Sequence, residues 1–179
     1  MKQLAIDIGN TAIHYGFVDG QEVTNTGHFS TATLVAGGAA AFRRAIEPLL
    51  AEAGGVVYGS VVPAACAPLE AALRGTRCFH LTHRSCRGLE LAYPAPAEIG
   101  EDRLANAIAA QAYFPLPAVV IDMGTAVTFD IVTDKGYEGG IIAPGLGLMT
   151  RYLHEQTALL PALEAEDLVD YDGMIGKST

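Results

Sequence analysis

The sequence predicts an α/β fold made of two related halves, and two observations carry that prediction. An apolar run followed by a glycine-centred acidic turn occurs twice: Leu4-Ala5-Ile6 precedes Asp7-Ile8-Gly9-Asn10-Thr11, and Val119-Val120-Ile121 precedes Asp122-Met123-Gly124-Thr125-Ala126. Each Asp therefore falls at the carboxyl edge of a strand, where α/β sheets carry function, and each turn opens a segment with further strand signals. Of the 179 residues, 50% are hydrophobic and 17% charged, which fits one generous domain or two small lobes with well-buried sheets.

The elements follow in order. Residues 2 to 8 read as a strand, and Ala12 to Val18 with Glu22 to Phe29 as a hairpin around the reversal dipeptide Asp19-Gly20. Ala36 to Ala53 has helical periodicity, with Phe42, Ile46, Leu49 and Leu50 on one face and Pro48 expected to kink or shorten it. Val56 to Val62 reads as a buried parallel strand, Pro63 to Leu73 as a helix and Cys78 to Leu81 as a short strand. Leu89 to Pro96 alternates like an edge strand that two prolines stop. Leu104 to Tyr113 is an alanine-rich helix. Strands at Val119 to Asp122, Val127 to Thr133 and Tyr137 to Ile142 then repeat the opening theme, and a helix runs from about Leu146 to Thr157.

The paired turns suit the two ends of one polyphosphate. Glycine lets backbone N–H groups approach an oxygen closely, and Asn or Thr adds side-chain donors. A carboxylate repels phosphate at neutral pH, so a cation or its hydration water must stand between them, which points to a metal-dependent nucleotide site. A net charge of −9 argues against nucleic acid or an anionic membrane as partner. With no span-length apolar window and no signal peptide, the expected location is cytoplasmic. Cys66, Cys78 and Cys86 lack paired spacing, so neither a disulfide framework nor structural zinc is expected, and His80-x-x-His83 has no further Cys or His nearby to complete a metal site.

Gly100-Glu101-Asp102-Arg103 places an acid and a cation side by side at a helix start, where N–H groups favour an anionic ligand group. Asp102 is suited to orienting a substrate hydroxyl and Arg103 to gripping a carboxylate by a forked contact; the competing reading is a plain helix cap. The glycine-rich run Gly139 to Gly145 reads equally as close packing against a site or as a tight strand-to-helix connection. The tail Gly176-Lys177-Ser178-Thr179 is no P-loop, because Tyr171 stands where the first glycine belongs.

Together these segments resemble the type III pantothenate kinases, dimeric members of the actin, hexokinase and Hsp70 ATPase superfamily. The resemblance runs the length of the chain, through the two acidic turns, Gly59-Ser60-Val61-Val62-Pro63, Tyr93-x-x-Pro96, Gly100 to Ala107, Gly139 to Gly145, Thr157-Ala158-x-Leu160-Pro161 and Ile175 to Thr179. It implies two ribonuclease-H-like lobes: residues 1–115, including the substrate-binding helix, and a partial second lobe, 116–179. It also implies ATP-dependent phosphorylation of pantothenate to 4'-phosphopantothenate, the first step of coenzyme A synthesis. Asp7, Ile8, Gly9, Asn10, Thr11, Ala12, Ile13 and His14, with Thr125, match the ATP positions. Asp7 matches a place near Mg2+, directly or through water, and Asp122 the ligand of a monovalent cation, K+ or NH4+. Tyr93, Gly100, Glu101, Asp102, Arg103 and Thr179 match the pantothenate positions, Asp102 matches the proposed base, and the pocket is expected at a homodimer interface.

Two departures qualify the resemblance. Family members usually continue well beyond the position of Thr179, so the second lobe is expected to be truncated. Glu101 replaces a small residue and is expected to raise the proton affinity of Asp102 or to disfavour an anionic substrate, or, if it points to solvent, to do neither. The early ending motivates a rival reading, a non-catalytic pantothenate-binding or regulatory homologue, with another small-molecule kinase or phosphatase of the superfamily as a third.

Overall fold

The structure is a computed structural model that describes residues 2–163. Strand β1 (Gln3–Ile8) buries Leu4, Ile6 and Ile8 on one face and turns Ala5 and Asp7 to the other, as the two-residue period of a strand requires. β2 (Ala12–Asp19) and β3 (Glu22–Ser30) complete an antiparallel meander, and β4 (Val56–Ser60) and β5 (Cys78–His80) add in parallel, giving the order β3-β2-β1-β4-β5. Helices α1 (Thr31–Val35), α2 (Ala39–Glu52) and α3 (Pro63–Ala72) pack together and bury Leu34, Phe42, Ile46, Ala65 and Leu69 with the apolar side chains of β1, β2 and β4.

The helix expected from Ala36 begins at Ala39, as α2, and a short helix that was not expected, α1, precedes it. Ser30 caps the N-terminus of α1 by accepting from the Thr33 amide at 3.2 Å, and Gly37, at φ 102°, breaks the chain before α2 begins. Pro48 does not shorten α2, because it lies on the exposed side, where the carbonyl it deprives of a donor faces water. β4 stops at Ser60, whose hydroxyl takes the Val62 amide at 3.1 Å while the Val61 amide turns to the Ile8 carbonyl. The edge strand expected over residues 89–96 is not formed. Its prolines lack the donors for a ladder, and only Leu91 bridges, in parallel, to Tyr137. A single 3-10 turn (Pro96–Glu98) follows.

Helix α4 (Glu101–Tyr113) leads to a second sheet, the meander β6 (Ala118–Met123), β7 (Ala126–Thr133) and β8 (Gly136–Pro144), and then to α5 (Leu146–Gln156). α4 lies against β4 of the first sheet and β6 and β7 of the second. Its Leu104, Ala107 and Ala110 form a second core with Leu81, Leu89, Ile99, Val132 and Tyr137. The small alanines at three-residue spacing let the helix approach closely, and its exposed positions are Ala105, Ala109, Gln111, Ala112 and Tyr113. None of the described helices is long and apolar enough to cross a membrane.

Candidate active site

The two acidic turns, distant in sequence, meet. Thr11 Oγ1 and Thr125 Oγ1 lie 3.1 Å apart, and the turns are built alike: Gly9 donates its amide to the Ala12 carbonyl at 3.0 Å, and Gly124 to the Ala126 carbonyl at 2.9 Å. Each turn is thus closed by its own backbone, leaving the Thr hydroxyl at its tip. Asp7, His14, Glu101, Asp102, Asn106 and Asp122 line one cavity of about 450 Å3 between the first sheet and α4. Asp7 and His14 share it because they are cross-strand partners on β1 and β2. Asp102 and Asn106 share it because they are four residues apart on α4.

The carboxylates crowd one another. Loss of water contact at the cleft holds the Asp7 carboxyl above the usual aspartate range, the charges of Asp102 and Asp122 push the same way, and His14 opposes them. Asp102 is likewise raised, first by desolvation; its bond from the Arg103 amide, 2.7 Å to Oδ1, works against that, while Asp122 and Asp130 add to it. Asp122 is steadied by Asn106, whose Nδ2 donates to Oδ2 at 3.2 Å. Clustered like charges of this kind call for a cation.

Three consecutive residues at the start of α4 go three ways. Glu101 reaches β4 and β5, Asp102 stands in the cleft, and Arg103 enters the second lobe. There its Nε donates to Asp130 Oδ1 at 2.6 Å, and Tyr137 donates to the same oxygen at 2.9 Å. Asp130 is wholly buried, and the tie to it raises the Tyr137 phenol far above its ordinary value, after burial itself. The guanidinium expected to fork a substrate carboxylate is thus committed to Asp130 through its Nε. Its Nη2 is buried with no hydrogen-bond partner among the described residues. Gly140 is required beneath it, since a Cβ there would collide with the Phe129 carbonyl and stand 2.5 Å from Nη2.

Tyr93 stands edge-on to Tyr137, ring centres 6.3 Å apart, so it joins the Arg103 cluster and not the cavity lining. Gly100 is the N-cap residue of α4 and makes no side-chain cap bond. Ile8 and Ile13 send their side chains into the core, so any share they have in nucleotide binding runs through the backbone; Ala12 already accepts from Gly9. Asn10 and Thr11 are exposed at the turn. Thr179 lies outside the described residues. Glu101 does not contribute to the raised Asp102 value, contrary to one expectation, and does not point to solvent either, because its carboxylate is taken by β4 and β5.

No role is expected from the sequence for Asp130, Tyr137 or Asn106, and His80 enters there only as a weak metal-ligand candidate. Asp130 left a signal, a carboxylate in the middle of the apolar strand Thr128-Phe129-Asp130-Ile131, where charge is found only when paired. Asn106 could have been placed by its four-residue spacing from Asp102. Nothing in the sequence pairs His80 with Glu101.

The sequence model of the family described as type III pantothenate kinase matches residues 3–179. This chain belongs to the type III pantothenate kinases. The member from Moorella thermoacetica is 36% identical across 98% of this chain and 72% of its own length. The member from Methylacidiphilum infernorum is 60% identical, over 45% of this chain and 30% of its own length. Among solved structures, a Baf-family protein from Campylobacter jejuni superposes with a TM-score of 0.55 at 20% identity, covering 86% of this chain and 60% of that one. The ethanolamine utilization protein EutJ from Carboxydothermus hydrogenoformans gives 0.53 at 14% identity, covering 90% and 58%. At these identities the structural likeness speaks to the fold alone, an α/β architecture built on two sheets. The chain spans 72% of the length of the first of these relatives and 30% of the second.

Proposed function

We propose that the cleft is where ATP phosphorylates pantothenate, as the family's name describes. The observation that carries this reading is the convergence of Asp7, Asp102 and Asp122 on one cavity beneath two matching turns whose threonine hydroxyls touch. Asn10, Thr11 and Thr125 are the proposed donors to phosphate oxygens.

The donor set fits hard cations. Asp7 and Asp122 offer oxygen only, and their repulsion is relieved by positive charge. Mg2+ is commonly held by one or two carboxylates, with waters and phosphate oxygens as its other ligands. In this reading Asp7 meets Mg2+ directly or through water, and Asp122 a monovalent cation, K+ or NH4+. A bound divalent cation supplies charge to the transferring phosphoryl oxygens.

The substrate hydroxyl oxygen bonds to the γ-phosphorus as the bond to the bridging oxygen breaks and ADP leaves with that electron pair. A hydroxyl is far less acidic than Asp102, so Asp102 first orients it and takes the proton late, when the new bond has made it acidic. The raised proton affinity of Asp102 moves it in the useful direction. The Arg103 backbone amide steadies Asp102 Oδ1, and Tyr93 and Gly100 are the proposed neighbours of the substrate. A homodimer is supported by the exposed apolar residues Val119, Ile121 and Met123 of β6 and Ile141 of β8.

The test is ADP release from a full-length protein with and without pantothenate, in potassium and in sodium. Pantothenate-dependent release is expected, larger in potassium. Absence of stimulation in both salts would overturn the reading.

A further inference from the structure

Glu101 and His80 form a contact that the proposed chemistry does not use. One carboxylate oxygen, Glu101 Oε2, accepts from the Ser60 amide at 2.6 Å and from His80 Nε2 at 2.8 Å. The His80 ring is itself held, stacked on Tyr58 with centres 4.4 Å apart and planes 14° off parallel. Gly59 gives Glu101 its room: a Cβ there would stand 3.3 Å from the Glu101 Cβ. The contact joins the first residue of α4 to the carboxyl ends of β4 and β5.

Successive residues of an α-helix point about 100° apart. Glu101 is fixed to the first sheet and Arg103 to the second, so the residue between them must face the gap. The core packing of Leu104, Ala107 and Ala110 anchors the body of α4, and the side-chain ties act on its first turn. The described partner of Asp102 is the adjacent Arg103 amide, and Gly100 gives α4 no side-chain cap that would set the roll of its first turn. We propose that Glu101 and His80 are positioning residues, which set the roll of the first turn of α4 and so the place of Asp102 in the cleft. The inference rests on the proposed kinase reading for its catalytic consequence, though the contact itself stands apart from it.

The experiment compares wild type with Glu101→Ala, Glu101→Gln, His80→Ala and the Glu101→Ala/His80→Ala double variant. For pantothenate-dependent ADP release, kcat of Glu101→Ala is expected to fall about 10- to 100-fold, because small misplacement of a reacting group is costly, while KM for ATP stays within about twofold. Glu101→Gln, which still accepts from Ser60, should recover most of the loss. The double variant should fall no further than Glu101→Ala, since both changes break one contact. Amide hydrogen exchange on the same proteins should show faster exchange at Ser60, Asp102 and Arg103 in Glu101→Ala, with β1 unchanged. Wild-type exchange at those amides in Glu101→Ala would overturn the inference even if no variant were active. So would wild-type kcat in an enzyme otherwise active, or an equal loss in kcat and in ATP affinity. A wild-type protein with no pantothenate-dependent release would instead overturn the kinase reading, leaving exchange to decide the positioning.

Discussion

Glu101 and Arg103 are separated by one residue and tied down in opposite surroundings. The Arg103 side chain is 14% exposed and its partner Asp130 not at all, whereas Glu101 and His80 are 18% and 36% exposed. Removing a partner from the inner tie strands a charge where water cannot reach it, while the outer tie can exchange its lost bonds for water. The inner tie should therefore bear on whether the second lobe folds against α4, and the outer one on where Asp102 points.

The strongest test of that contrast is Asp130→Ala, expected to destabilise by about 3–5 kcal/mol because Arg103 is left buried and uncompensated. Urea unfolding measures it, and a loss below about 1 kcal/mol would mean that Arg103 finds water and that the two ties are alike. Next comes the residue held between them. Asp102→Asn should lower turnover by about 100-fold or more while ATP affinity changes by less than about threefold, read from ADP release and nucleotide titration. Tyr137→Phe removes one donor to Asp130 and leaves Arg103 and Thr128, so a loss of about 1–2 kcal/mol in the same unfolding assay is expected.

The smallest effect concerns pH. Asp7 and Asp102 both hold their protons more tightly folded than unfolded. Fully protonated, they contribute nothing. As pH rises through the ordinary aspartate value of about 3.9, the unfolded chain gains by ionising first, so stability falls until the raised values are passed. In chelator, Asp7→Asn should make that fall shallower, and Mg2+ added to the wild type should do the same. An unfolding midpoint that rises with pH over this range, or a slope unchanged in Asp7→Asn, would count against the crowding of carboxylates in the cleft.

Much of the scaffold was legible because it depends on local pattern. The alternation of Leu4, Ile6 and Ile8, the Asp19-Gly20 reversal and the Phe42/Ile46 helical face all act over a few residues and appear where expected. The edge strand over 89–96 was misread because alternation reports which face is apolar but not whether a neighbouring strand can accept the ladder. Asp7, Asp102 and Asp122 could be nominated singly, but their meeting depends on the docking of α4, which no local pattern encodes. The same holds for Arg103. Its pairing with a buried carboxylate 27 residues later is a tertiary event. Asp130 was the one clue, a charge out of keeping with its strand.

Because α4 touches both sheets, it acts as the axle about which the lobes of this protein could swing. Any opening of the cleft must leave the helix with one sheet and part it from the other. The inner tie is the dearer to break, so the axle should travel with the second sheet, and the seam should open at Ser60 and His80. The amide of Ser60 then becomes a reporter of breathing in the wild-type protein, exchanging each time the mouth widens.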